Sequence, residues 1–303
     1  VITRETFLSY MEEIDNELSK EDCPFHERPL HAFTKLADRV DKHGKFMMLP
    51  DTQVSEDDYS NDALCSQVHR WYESKYGDRI KMHPGPGSGI ILIKNEPWEV
   101  IYPLCFGQVS FAINSDLRRQ DRWALNDKGE KIPQINILWH VVDITPEIAT
   151  SLSKEEKLAL LKDYMFGLNV VQSLKRCNGP YMDQAKNDYD TAVYNIFNKY
   201  PNYNNSKWAS LQLAEKTMKS KLELSGVDFR YSHDLSYLSG MIEAVGIRIE
   251  NYLIQNIQCE AGVRYGEISV TRIEAVTAVR SALILFSTLF PASAYDMKII
   301  IKS

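Results

Sequence analysis

The chain has 303 residues, 44% of them hydrophobic and 25% charged, enough apolar material for two cores. No apolar run approaches the roughly 20 residues that a membrane-spanning helix needs, and the opening stretch VITRETFLSYMEEIDNELSK is too polar for a signal peptide, so a cytoplasmic location is expected. Residues 181–303 hold 13 basic and 13 acidic residues, which leaves the whole net charge of −6 in residues 1–180; a bulk basic stripe is absent, and neither duplex DNA nor a membrane is an expected partner.

Residues 1–20 have Phe7, Leu8, Met11, Ile14 and Leu18 at helical spacing. A second helix is expected near His31–Lys42, and residues 1–50 form an N-terminal helical segment. His26-Glu27 with His31 is a near miss to the zinc motif His-Glu-x-x-His, one residue too long, because five residues of separation put two imidazoles on different helical faces. The five cysteines, Cys23, Cys65, Cys105, Cys177 and Cys259, are far apart and include no Cys-x-x-Cys pair. They read as free thiols, and neither a metal nor another cofactor is expected.

Residues 51–62 are acidic and turn-rich, and a helix is expected over Ala63–Tyr76. The period then changes. Arg79–His83, Gly89–Lys94, Trp98–Tyr102, Gln108–Ile113 and Ile135–Val142 are short strand-like runs whose brief connections suit antiparallel pairing. An α+β domain, a small antiparallel sheet with helices, is expected over residues 51–180. The Gly-rich stretch from His83 to Gly89 lacks the helix that a phosphate cradle needs directly after its glycines. Arg118, Arg119 and Arg122 beside Trp123 make the best basic cluster, in which a cation can hold a phosphate while the ring stacks a base. Ser153-x-x-Glu156 is a capping box ahead of the stripe Leu158, Leu161, Met165 and Leu168, and Asn178-Gly-Pro180 ends that helix. A domain boundary is expected there.

After a helix over Tyr181–Tyr200, four segments carry helical apolar spacing: Lys207–Ser225, Leu235–Val245, Ile249 towards Gly262, and Ile273–Phe290. An all-α bundle is expected over residues 181–303. Its last helix is apolar on more than one face, with Val276, Val279, Leu283 and Phe286 on one stripe and Ile284, Leu285 and Leu289 elsewhere. A second subunit or the N-terminal domain must cover the remainder, and a homodimer through the bundle is expected.

The run LQLAEKTMKSKLELSGVDFRYSHDLSYLSGMIEAVG resembles HEPN domains (higher eukaryotes and prokaryotes nucleotide-binding). It has an Ala- and Lys-containing helix, a Gly-bearing loop, and a His-Asp-Leu segment opening the next helix. The resemblance implies a HEPN-like bundle that pairs with a second copy and meets a nucleotide or single-stranded RNA. Many such domains resemble ribonucleases with an arginine four to six residues ahead of a histidine. Here the nearby pair is Arg230 and His233, two residues apart, so cleavage is not expected, and Ser232 or Asp234 caps the helix while His233 bonds locally. Arg248 and Tyr252, with Arg264 and Tyr265 at the end of the same helix, could line a polar groove. The expected function is a non-catalytic nucleotide-, RNA- or protein-binding and dimerisation module. The alternatives are a metal-independent ribonuclease with a degenerate site at Arg230, His233 and Arg264, and a purely structural dimerisation protein.

Overall fold

A computed structural model describes residues 2–40, 54–80, 85–103, 109–117, 123–230, 232–291 and 301–302, and its two units are Val1–His83 and Pro84–Ser303. In the first unit, Thr3 caps helix α1 (Arg4–Lys20) by accepting from the Thr6 amide. The stripe Phe7, Met11, Ile14 and Leu18 packs with Ala32, Phe33 and Leu36 of α2 (Arg28–Val40) and Leu64, Val68 and Tyr72 of α3 (Leu64–Tyr76). Asp15 is buried in this unit and held by Arg28 at 3.2 Å and by the Tyr76 hydroxyl. Burial pushes its carboxyl up, but hydrogen bonds from Tyr76 and Lys75 outweigh that and hold it below its ordinary value. Of the expected strand Arg79–His83, the described part belongs to a 3-10 turn, Gly77–Ile80.

The second unit opens on a hairpin. Strand β1 (Gly87–Ile93) pairs antiparallel with β2 (Glu96–Tyr102), and Lys94 and Asn95 make the two-residue turn in left-handed backbone, φ 53° and 66°. Tyr102 lies in a slot that only glycine leaves open: a Cβ on Gly167 would stand 1.9 Å from its Oη, and one on Gly89 2.3 Å from its Cε2. A second sheet has the order β4-β5-β3-β6, from β3 (Ser110–Ala112), β4 (Trp123–Leu125), β5 (Lys131–Asn136) and β6 (Ile301–Lys302). Only β4–β5 is antiparallel there, whereas β3 pairs parallel with β5 and with β6. The expected antiparallel pairing holds in β1–β2 and β4–β5, whereas β3 meets β5 in parallel because residues 113–130, including β4, are long enough to bring β5 back alongside β3.

Helices complete this α+β unit. After the short α4 (Pro146–Thr150) come α5 (Lys154–Arg176), α6 (Met182–Phe197), α7 (Tyr203–Leu224), α8 (Leu235–Ala244), α9 (Asn251–Ile257), α10 (Ala261–Arg264) and α11 (Arg272–Leu289). Both halves of the capping box Ser153/Glu156 form at α5, and Thr271/Glu274 forms another at α11. The units do not part at Asn178–Pro180, where the punctuation placed a boundary. One apolar core runs from Ile90 through Leu168 and Ala185 to Leu289, because β1 packs on both α5 and α6 and the Tyr189 hydroxyl donates to Ser88 O at 2.8 Å. Helix α11 is also covered from within: Leu285 and Leu289 are fully buried, and α5, α6, α7 and α9 surround it. Of the apolar residues on this helix, Ile284 is half-buried and Ile273 is exposed. No helix among the described residues is long and apolar enough to cross a membrane.

Candidate functional site

Helix α7 is buried along most of its length, so its polar side chains need partners inside the protein. Ser206, Ser210 and Thr217 donate to the carbonyls of Ala192, Ser206 and Leu213 at 2.7–2.8 Å. Glu215 and Lys219 are costlier. Both are only 2% exposed and are joined at 2.6 Å from Nζ to Oε1. Removing such charges from water costs several kcal/mol per ion, offset only when further hydrogen bonds complete the pair. Glu215 has them: its Oε2 accepts from Gln212 Nε2 at 3.4 Å and meets His233 Nδ1 at 2.7 Å.

His233 stands between α7 and α8 with its side chain 59% exposed. The tautomer with its proton on Nδ1 donates to Glu215 Oε2, which fixes the ring orientation and leaves the lone pair on Nε2. The bond reaches eighteen residues back along the chain, beyond the local bonding expected for His233. Nearby on α7, Lys216 bonds Asp188, whose carboxyl is raised by burial, opposed by Lys216 and reinforced by the charge of Glu215.

Asp234 supplies the cap of α8: its Oδ1 accepts from the Ser236 and Tyr237 amides at 2.9 and 3.3 Å, and its own amide donates to Ser232 Oγ at 3.1 Å. That cap fixes Tyr237 in the first turn. The Arg230 guanidinium lies 4.6 Å from the Tyr237 ring centroid, and the Tyr237 hydroxyl accepts from the Arg230 amide at 3.4 Å. An exposed cation stacked on an aromatic face and an exposed imidazole anchored to a carboxylate thus share one short loop. Such a pair can meet a phosphate and a base together.

The other expected residues are distributed differently. Helix α9 starts at Asn251 with Glu250 at its N-cap, so Arg248 lies before the helix and bonds Glu250 at 3.5 Å, and the expected one-turn relation to Tyr252 does not form. Tyr252 is exposed. A break at Gln258 separates α9 from α10, so Arg264 and Tyr265 do not end the same helix. Arg264 instead lies 5.6 Å from the Trp208 ring and 5.9 Å from that of Tyr265. Trp208, Gln212 and Glu215 follow one face of α7, which relates the Arg264 cluster to the His233 dyad along a single helix. Arg118, Arg119 and Arg122 lie outside the described residues, and Trp123 opens β4 with its ring exposed.

Sequence reasoning missed Glu215, Lys219, Tyr237 and Trp208 as partners. The Glu215/Lys219 spacing of four was visible, but on a helix it ordinarily signifies a solvated pair. In the first unit, His26 Nε2 and His31 Nε2 lie 3.5 and 3.8 Å from the two oxygens of Glu27. Helix α2 begins only at Arg28, so His26 lies before it, and the group of ligand-type atoms there takes in Cys23, Glu27 and His31 but not His26.

A second concave surface lies where the hairpin turn meets α5 and α11. Adjoining cavities of about 720 and 320 Å³ share Leu92, Asn95, Arg280 and Ile284. Arg280 pairs with both oxygens of Asp163 at 2.7 and 2.9 Å, and Asp163 also accepts from the Leu92 amide at 3.1 Å, so the pair ties α11, α5 and β1 together.

Fold and site together define an α+β protein whose helical part carries a carboxylate-anchored histidine beside a ring-stacked arginine. Compared with protein-family models, curated proteins and solved structures, the chain matches none.

Proposed function

We propose that the helical part is a HEPN-like module that binds a nucleotide or single-stranded RNA at the Arg230–Tyr237 loop without cleaving it, in a cytoplasmic protein. The observation that carries this reading is the shared loop: Arg230 on the Tyr237 ring, and His233 held by Glu215. The ring offers a stacking face, while the guanidinium offers donors to phosphate oxygens. Fluorescence anisotropy of a short labelled oligonucleotide tests it. Arg230→Ala and Tyr237→Ala should each weaken binding about tenfold, in line with roughly 1–3 kcal/mol per stacked base. Equal affinity of both variants and the wild type removes the reading.

The His233–Glu215 dyad supports a second reading, metal-independent RNA cleavage, since an oriented imidazole is what a general base requires. Turnover of single-stranded RNA in excess chelator, abolished in His233→Ala, would establish it over the first. Self-association belongs to the same proposal. With Leu285 and Leu289 internal, the surface offered to a second copy is the α5/α11 side, where Phe166 and Ile273 are exposed, Ile273 by 78%. Sedimentation of wild type and of Phe166→Glu/Ile273→Glu decides this: a wild-type monomer ends it.

A further inference from the structure

The turn between α1 and α2 gathers three side chains of metal-ligating type. Sγ of Cys23, a carboxylate oxygen of Glu27 and a ring nitrogen of His31 lie within 4.8 Å of one another. His26 adds a second imidazole, 3.5 Å from Glu27 Oε1, and His31 Nε2 is 3.8 Å from Glu27 Oε2. These separations are long for hydrogen bonds. The separation between His31 and Glu27 does match an edge of a tetrahedral shell, where bonds of about 2.0–2.3 Å to N, O and S set neighbouring donors roughly 3.3–3.8 Å apart.

The backbone that carries these groups is held independently of them. The Cys23 amide donates to Leu18 O at 2.9 Å, and the Cys23 carbonyl accepts from Arg28 Nε at 2.9 Å. Arg28 is itself buried and paired with Asp15, and the Glu27 amide donates to Pro24 O at 3.0 Å. Asp22 takes left-handed backbone, φ 52°, which turns the chain so that Cys23 comes to lie beside Glu27 and His31. His31 follows in the first turn of α2, its amide donating to Glu27 O at 3.2 Å. The sulfur makes only a 3.8 Å contact with Pro24 O. A thiolate with imidazole and a single carboxylate is a poor set for Mg²⁺ or Ca²⁺, which prefer oxygen, and a good one for Zn²⁺.

We propose that Cys23, Glu27 and His31, with water as fourth donor, form a binding site for one divalent ion of the zinc class that clasps the end of α1 to the start of α2. The test uses the full chain, stripped with chelator, free of any histidine tag, and titrated with Co²⁺ and then Zn²⁺. One equivalent of Co²⁺ should give the intense visible bands of tetrahedral coordination and a near-ultraviolet thiolate-to-cobalt band, both removed by Zn²⁺. Cys23→Ser should abolish the thiolate band. Glu27→Gln and His31→Ala should weaken Zn²⁺ binding at least about tenfold, the loss that even outer-shell changes produce. Cys259→Ser, in the other unit, should change nothing. Circular dichroism of the metal-free variants checks their fold, and Cys23→Ala and His31→Gln replace any that fail. Absence of the tetrahedral spectrum, or a thiolate band that persists without Cys23, overturns the proposal.

Discussion

Replacing Gly167 by alanine pits helix propensity against a steric limit. In an unconstrained helix the change favours folding by about 1 kcal/mol. Here the added methyl would stand 1.9 Å from Tyr102 Oη and 2.9 Å from Cζ, and Gly89 closes the other side of the ring, so the ring has no room to slide. Overpacking of this kind costs about 1–3 kcal/mol when the neighbours give way. If Tyr102 leaves its slot against Tyr164 and Phe111, the loss approaches the roughly 3–5 kcal/mol of an aromatic truncation. After the propensity gain, a net destabilisation of about 2–4 kcal/mol is expected, a fall in Tm on the order of 10 °C for a unit of this size. Urea denaturation of Gly167→Ala, Tyr102→Phe and the double variant measures it. Removing the hydroxyl takes away the closest contact and leaves Cζ at 2.9 Å, so the glycine change should cost less in the phenylalanine background. A stabilised Gly167→Ala, or an equal cost in both backgrounds, would refute the packing argument.

Three further outcomes are expected. The unit Pro84–Ser303, expressed alone, should unfold cooperatively by circular dichroism, whereas residues 181–303 alone should not, because that cut divides one core. Burial holds His140 below its ordinary value of 6.5, only partly opposed by a hydrogen bond with Ile101. The unfolded chain therefore binds the proton first, and stability should be constant above that value and fall as pH drops through it towards the folded pKa. His140→Gln should flatten that slope in denaturation midpoints. Glu215→Leu, which leaves Lys219 without its carboxylate, should cost about 3–5 kcal/mol, and Glu215→Leu/Lys219→Met should recover most of it while releasing His233, seen as altered imidazole shifts by NMR.

The helices were legible wherever one stripe of side chains decides the outcome. Phe7, Met11, Ile14 and Leu18 are all buried, although Leu8 and Leu158, counted with the stripes of α1 and α5, are exposed, and the Ser153/Glu156 box starts α5 where its spacing indicates. Partners distant in sequence were not legible. Parallel pairing of β3 with β5 depends on how β4 folds between them, and the absence of a boundary at Asn178–Pro180 depends on β1 reaching both neighbouring helices. At the candidate site, the sequence pointed to Arg230, His233 and Asp234 through the loop they share. It could not reveal that Glu215 and Lys219 are buried, because a carboxylate and an amine four residues apart look alike whether they face water or a core.

Arg280 reaches Ile90 O across 190 residues, which sets an order of events during synthesis. The hairpin strand with Ile90, Ile91 and Ile93 is covered by α5 and α6 as these emerge, and α11 arrives last to fasten the strand to α5 through Arg280 and Asp163. At about 5–20 residues per second, that clasp closes on the order of 10–40 s after Ile90 is made. A pause in translation before Arg280 therefore leaves the seam between strand and helix packed but unfastened.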